Sequence, residues 1–316
     1  MNKYILLLLS IVLCLISIYL FNNKNTSTIE DDNNFSVSDT STIQKIFIAD
    51  RSGTTIHLDR NEKNWIVNEK YQVRKEAINL LLSTINKLEI ERPVPLTSLE
   101  RVIKDLATTG VRIEIYDNSD CIKAYTIGNT TSNHSGNYML LDKAKTPYIL
   151  HIPDFNGFLS PRYGIQGQLI NEENWRSHKV FNLQASEINN ISLYNYNSIE
   201  QSFNIKFNPL RLENISGDII KYNQKRMRKY INSFSKINCE SYKPNKNDIF
   251  SKKPIHTLIV NKDTLTIYPI KDSIFNDKKE NYNVKRMYAT LNNNDVMLIQ
   301  EYVFNKLLIT LDELSD

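Results

Sequence analysis

Ile43, Ile46 and Ile48, followed by Ile56 and Leu58, set apolar residues among polar neighbours on either side of Asp50-Arg51-Ser52-Gly53. That pattern predicts two strands joined by a turn, with a third strand at Trp65-Ile66-Val67. The period then changes. Ile78, Leu81, Leu82, Ile85 and Leu88 fall at i, i+3, i+4, i+7 and i+10, on one face of an amphipathic helix. Pro93 and Pro95 cannot continue that helix, so it ends within 89–95. A short helix near Ser98–Ala107 leads to four strands near Val111–Tyr116, Ile122–Ile127, Tyr138–Leu141 and Tyr148–Ile152.

The same succession returns downstream. Ile188, Ile191 and Leu193 repeat the spacing of Ile43, Ile46 and Ile48, and Phe203, Ile205 and Phe207 supply a second strand. Met227, Tyr230, Ile231, Phe234 and Ile237 reproduce the helical face position for position, each 149 residues later. Ile255–Val260 and Leu265–Ile270 read as paired strands. Tyr288 and Met297–Ile299 echo Tyr138 and Tyr148–Leu150, and Phe304 echoes Phe155. One helical face could coincide by chance, but the whole succession in one order is a repeat. The expected architecture is α+β: two tandem modules, 41–165 and 186–316, joined by a connecting segment 166–185. Each module packs its amphipathic helix on a mainly antiparallel sheet.

Ahead of this body, Tyr4–Phe21 is apolar and uncharged, close to the ~20 residues a helix needs to cross a bilayer. The end of the run, Ile18-Tyr19-Leu20-Phe21-Asn22, offers no small-residue cleavage site. Lipidation at Cys14 would need a small residue before it, where Leu13 stands. The expectation is an uncleaved anchor over 1–24, with residues 4–21 in the lipid bilayer and a flexible linker over 25–40 rich in Asn, Ser, Thr and Asp. The N-terminal amine and Lys3 against Lys24, Asp31 and Asp32 place the bulk of the chain outside the cytoplasm, in the periplasm.

A formal net charge of +4 spread over 316 residues gives no concentrated basic stripe, so nucleic acid is not an expected partner. Cys121 and Cys239 read as two unrelated thiols. Metal-ligand spacings, P-loops and dinucleotide fingerprints are missing, so neither a metal nor a cofactor is expected. Ser233-Phe234-Ser235-Lys236 has the Ser-x-x-Lys spacing of penicillin-binding enzymes, but its Ser-Asp-Asn and Lys-Thr-Gly companions are absent and Ser233 falls late in its helix. Asp50, Asp117, Asp120 and Asp263 occupy turns and read as solvated. The cations of 221–236 read as the wet face of a helix.

The densest aperiodic stretch runs from Tyr148 to Tyr163 and on to Trp175-Arg176. Its candidate contact residues are Phe155, Asn156, Gly157, Arg162, Tyr163, Trp175 and Arg176, because exposed aromatics and arginines anchor interfaces. The alternative is a hinge whose aromatics are buried. The second module has Lys306 in place of Gly157, so any such site belongs to the first.

Ile48-Ala-Asp-Arg-Ser-Gly53, Trp65-Ile-Val-Asn68, Tyr71-Gln-Val-Arg74, Pro93-Val-Pro95, Thr108-Thr-Gly-Val111, Asn137-Tyr-Met-Leu-Leu141 and the 148–163 run resemble the bacterial envelope domain-of-unknown-function family 4340. The likeness is mainly to the first module and the Trp175-Arg176 segment, and it is looser in the second module. It implies a membrane-anchored or exported protein, related to domains found with gliding-motility and ABC-transport auxiliary proteins, and it supplies no catalytic residues. The resulting expectation is a non-catalytic component that binds another envelope protein. A ligand- or glycan-binding module is the alternative, and a hydrolase the third reading.

Overall fold

The computed structural model describes residues 33–316 apart from 63, 119, 244–246 and 271–284. The apolar run Tyr4–Phe21, Cys14 and the start of the linker lie outside the described residues. Among the described residues no helix is long and apolar enough to cross a membrane. The chain divides into two units, the first ending at Arg176 and the second beginning at Ser177.

In the first unit β1 (Lys45–Ala49), β2 (Thr55–Asn61), β3 (Asn64–Val67) and β4 (Tyr71–Gln72) form a meander. Helix α1 (Lys75–Asn86) then carries the chain across to β5 (Glu89–Pro93) on the far edge. Helix α2 (Leu96–Thr109) returns it to the middle, where β6 (Val111–Tyr116), β7 (Cys121–Thr130), β8 (Asn137–Leu141) and β9 (Tyr148–His151) make a second meander. The sheet order is β4-β3-β2-β1-β6-β7-β8-β9-β5, antiparallel throughout. The edge strand β5 was hidden from sequence reasoning by its Glu-Ile-Glu-Arg-Pro composition. Proline at its end fits an edge position.

Strand alternation gives the sheet two faces. One carries Ile46, Ile48, Ile113, Ile115, Tyr125, Ile127 and Met139 into the main core, closed by Ile78, Leu81 and Ile85 of α1. Each such aliphatic side chain contributes roughly 1.5–3 kcal/mol by leaving water. On the other face α2 buries Val102 and Leu106 with Val94 and Ile149. Gly110 lets this helix end close on the sheet, since a Cβ there would stand 2.4 Å from the Leu106 carbonyl and from Thr126.

The linker expectation fails from Phe35 onward. Phe35 is 2 % exposed and packs its ring 6.0 Å from that of Tyr125, so one aromatic in a polar segment fills a hole in the core. Asp50 is not solvated either. The residue is 7 % exposed, and its carboxylate accepts from the amides of Ser52, Thr54 and Ile170.

The second unit opens on β12 (Lys179–Phe181) and continues with β13 (Asn190–Asn195), β14 (Phe203–Lys206), β15 (Arg211–Asn214) and β16 (Ile219–Ile220). Helix α3 (Gln224–Asn232) follows, then β17 (Ile237–Asn238), β18 (Ser241–Tyr242), β19 (His256–Val260), β20 (Asp263–Tyr268), β21 (Arg286–Leu291) and β22 (Val296–Gln300). The sheet order is β16-β15-β14-β13-β19-β20-β21-β22-β18. α3 is shorter than its periodicity predicts: Phe234 lies beyond it and Ile237 sits in β17, although both side chains stay in the core. Ser233 caps the end of the helix, its amide and its hydroxyl both donating to the Tyr230 carbonyl, the latter at 2.6 Å.

Candidate functional site

The connecting segment expected over 166–185 does not exist as a separate piece. Residues 166–176 complete the first unit. There β10 (Ile165–Gln166) and β11 (Leu169–Ile170) make a short hairpin, and the chain returns to α1. Val73 bridges to Arg176, and the Arg74 amide donates to the Trp175 carbonyl at 2.8 Å. This contact fixes Trp175 beside the start of α1.

The aromatics of the candidate segment divide by burial. Tyr163 is 0 % exposed and shares a 2.9 Å hydrogen bond with the buried Tyr125 hydroxyl, and burial pushes both phenols up. Trp175 is 2 % exposed. Neither can anchor a docked protein, which corrects the expectation for these two residues. Their apolar area belongs to the first core, where it contributes more than at a surface. Gly164, at φ 69°, lies flat against the indole, where a Cβ would come within 2.8 Å of its ring.

Arg162 and Trp175 do come together. They line a cavity of about 270 Å³ with Arg74, Glu76, Ala77, Leu80, Pro161, Gly164, Gln166 and Asn174. The Arg162 guanidinium lies 3.9 Å from the Phe155 ring centroid and reaches Thr84 Oγ1 at 3.5 Å. Phe155 therefore positions Arg162 without lining the cavity, and Gly157 lets that ring approach the backbone. Asn156 is exposed, and Arg176 stacks on Tyr71 at 3.5 Å, both outside the cavity wall.

Arg74 was missed as a site residue. Its guanidinium donates to the Asn174 carbonyl, and Asn174 in turn bonds the Gly164 carbonyl and Gln166. The sequence signal was an arginine directly before a helix with no side-chain cap. Two donors in this wall, Arg74 Nε and Trp175 Nε1, are buried without an acceptor among the described residues. Each unpaired buried donor costs about 1–3 kcal/mol. Arg74 and Arg162 have no carboxylate partner among the described residues, and Glu76, the wall's acidic residue, is exposed.

Arg60 Nε, His256 Nδ1 and Thr290 Oγ1 are also buried without a partner among the described residues, but none of these residues lines this cavity. Two further polar clusters are matched by ion pairs. Arg112 bonds Glu114 at 2.6 Å and Asp142 at 3.0 Å. Burial raises the Glu114 carboxyl, but bonds from Tyr116 and Arg112 outweigh it and hold it low, while the Tyr116 phenol rises to about 12. Glu240 is held low in the same way by Arg286 and Gln300 against burial. His256 is half-buried, and burial lowers its pKa. Cys121 carries an exposed thiol, and Cys239 lies buried. Among the described residues no group of acidic, His and Cys side chains could hold a metal ion. No family model, curated protein or solved structure matches this chain.

Proposed function

We propose that this is an extracytoplasmic, non-catalytic binding protein held at the membrane by Tyr4–Phe21, whose first unit binds a small ligand beside the start of α1. The observation that carries the reading is that two residues of one cavity wall, Arg74 and Trp175, each hold a buried donor, Nε and Nε1, without an acceptor among the described residues. Buried polar groups in native proteins are nearly always partnered. The burial of Tyr163 and Trp175 favours a small ligand over a docked protein, because residues 153–176 give these aromatics to the core.

Location is supported by the uncharged run and its missing cleavage site. The envelope family is supported by the segments quoted above. Descent of the two units from one duplicated module is supported by the matching strand orders and by central registers that pair Ile46 with Leu58 and Ile115, and Ile191 with Ile205 and Val260. Native mass spectrometry of the full chain, extracted from its own membranes, tests the ligand reading. A bound small species is expected in the wild type and not in Leu80→Trp, which fills the cavity from an exposed wall position. Identical spectra without any adduct would refute it.

A further inference from the structure

We propose that the cavity takes the carboxylate of a small organic acid, with Arg162, Arg74 and the Trp175 indole N–H as donors. The acid's apolar part lies against Ala77, Leu80 and Pro161. This deepens the ligand-binding reading and rests on it.

The chemistry of the wall is one-sided. The groups of its residues that lack a partner among the described residues, Arg74 Nε and Trp175 Nε1, are donors, so the missing partner is an acceptor. Two guanidinium groups and one carboxylate leave one net positive charge in the lining, which matches a monoanion better than the ≈ −1.5 to −2 of a phosphate at neutral pH. A planar guanidinium edge fits the two oxygens of a carboxylate. Helix α1 spans 12 residues and has no side-chain cap, so its first-turn amides add positive potential at the same place.

The second unit shows what a closed version of this corner looks like. Tyr222 bridges to Ser315 as Val73 bridges to Arg176, and the Asn223 amide donates to the Leu314 carbonyl as Arg74 does to Trp175. Asn223 therefore stands where Arg74 stands, and its side chain caps α3 by accepting from Lys225 and Arg226 at 3.1 Å. Leu314, 0 % exposed, stands where Trp175 stands and brings no donor. The first unit replaces a capped, apolar corner by two unsatisfied donors.

The test is a titration of the full chain, in detergent and labelled with ¹⁵N at its two tryptophans, with butyrate, butyramide and inorganic phosphate. The indole signals are assigned with Trp65→Phe, and Trp65 then reports that the fold persists. Butyrate is expected to shift the Trp175 signal saturably, and Arg162→Gln to weaken that binding at least tenfold with the Trp65 signal unmoved. Equal shifts with butyramide would overturn the carboxylate assignment while leaving a ligand cavity. Tighter binding of phosphate than of butyrate would overturn the choice of a monoanion. No shift with any probe would overturn the proposal outright, and the mass spectra then decide the ligand reading separately. Should Arg162→Gln disturb Trp65, Arg162→Lys takes its place, with weaker butyrate binding expected and unchanged binding contradictory.

Discussion

The two units share a strand order and a central register, yet they treat the point where the helix begins in opposite ways. In the second, Asn223 caps α3 and Leu314 fills the space beneath it. In the first, Arg74 leaves α1 without a side-chain cap, and Trp175 brings an indole whose N–H has no acceptor among the described residues. A frame that can be closed by an asparagine and a leucine is left open by an arginine and a tryptophan. Strained or unsatisfied groups of this kind cluster where proteins bind something. The cavity beside α3 is different in character: about 390 Å³, walled by Phe207, Leu210, Tyr222, Met227 and Ile231 with Arg228 and Asn232. The opposite sheet faces differ too. The first unit covers its outer face with the 14-residue helix α2. The second has a 3₁₀ turn, Asn247–Ser251, whose Ile249 packs with Tyr268 and Val296.

The largest way to break the comparison is Trp175→Ala. It empties the corner of the first core and costs about 3–5 kcal/mol of that unit's stability. Urea unfolding followed by hydrogen exchange resolved along the chain should place the loss in residues 33–176 and spare the second sheet. A loss below ~1 kcal/mol would mean that the indole is not a core element.

Next is Asp50, which ties the β1–β2 turn to β11. Burial raises its carboxyl, but bonds from Ser52, Ile170 and Thr54 together outweigh this and hold it below the usual carboxylate range. A depressed folded pKa means that the stabilisation is present above the unfolded value of about 3.9 and is lost as pH falls through the folded value. Asp50→Asn should cost about 1–3 kcal/mol at pH 7. The gap to wild type should close as unfolding is measured at progressively lower pH. A gap that stays constant down to pH 2 would contradict this account.

The smallest effect sharpens the contrast in capping. Asn223→Ala removes the side chain that caps α3 and should cost ~1 kcal/mol, seen as faster amide exchange confined to Lys225 and Arg226 and the rest of that helix's first turn. Arg74→Ala removes no side-chain cap from α1 and should leave the exchange of its first turn nearly unchanged. Equal acceleration at both helices would erase the difference.

Much of the frame was legible from periodicity alone. Ile46, Ile48, Ile56 and Leu58 lie on the core face, and Ile78, Leu81 and Ile85 face the sheet, because burial imposes a period of 2 on strands and 3.6 on helices. Glu89–Pro93 escaped because an exposed edge strand needs no apolar pattern. Phe35 escaped because a single buried aromatic sets up no period. The helical face ending at Ile237 was overextended, since apolar residues past a helix end can return to the same core by another route. Arg162 and Trp175, both drawn from the aperiodic stretch, line one cavity. Their partner Arg74 lies about a hundred positions away and meets them only because Val73 bridges to Arg176, a pairing that no local pattern announces.

The most direct test of the contrast uses one sample with a reporter in the cavity beside each helix. Full-length protein carrying ¹⁵N-tryptophan and ¹³C-methyl-methionine places Trp175 in the first cavity and Met227 in the second. Titration with butyrate should move the Trp175 indole signal to saturation and leave the Met227 methyl signal where it is. Parallel shifts of both, or a shift of Met227 alone, would contradict the claim that the open, donor-lined corner of the first unit is the binding site.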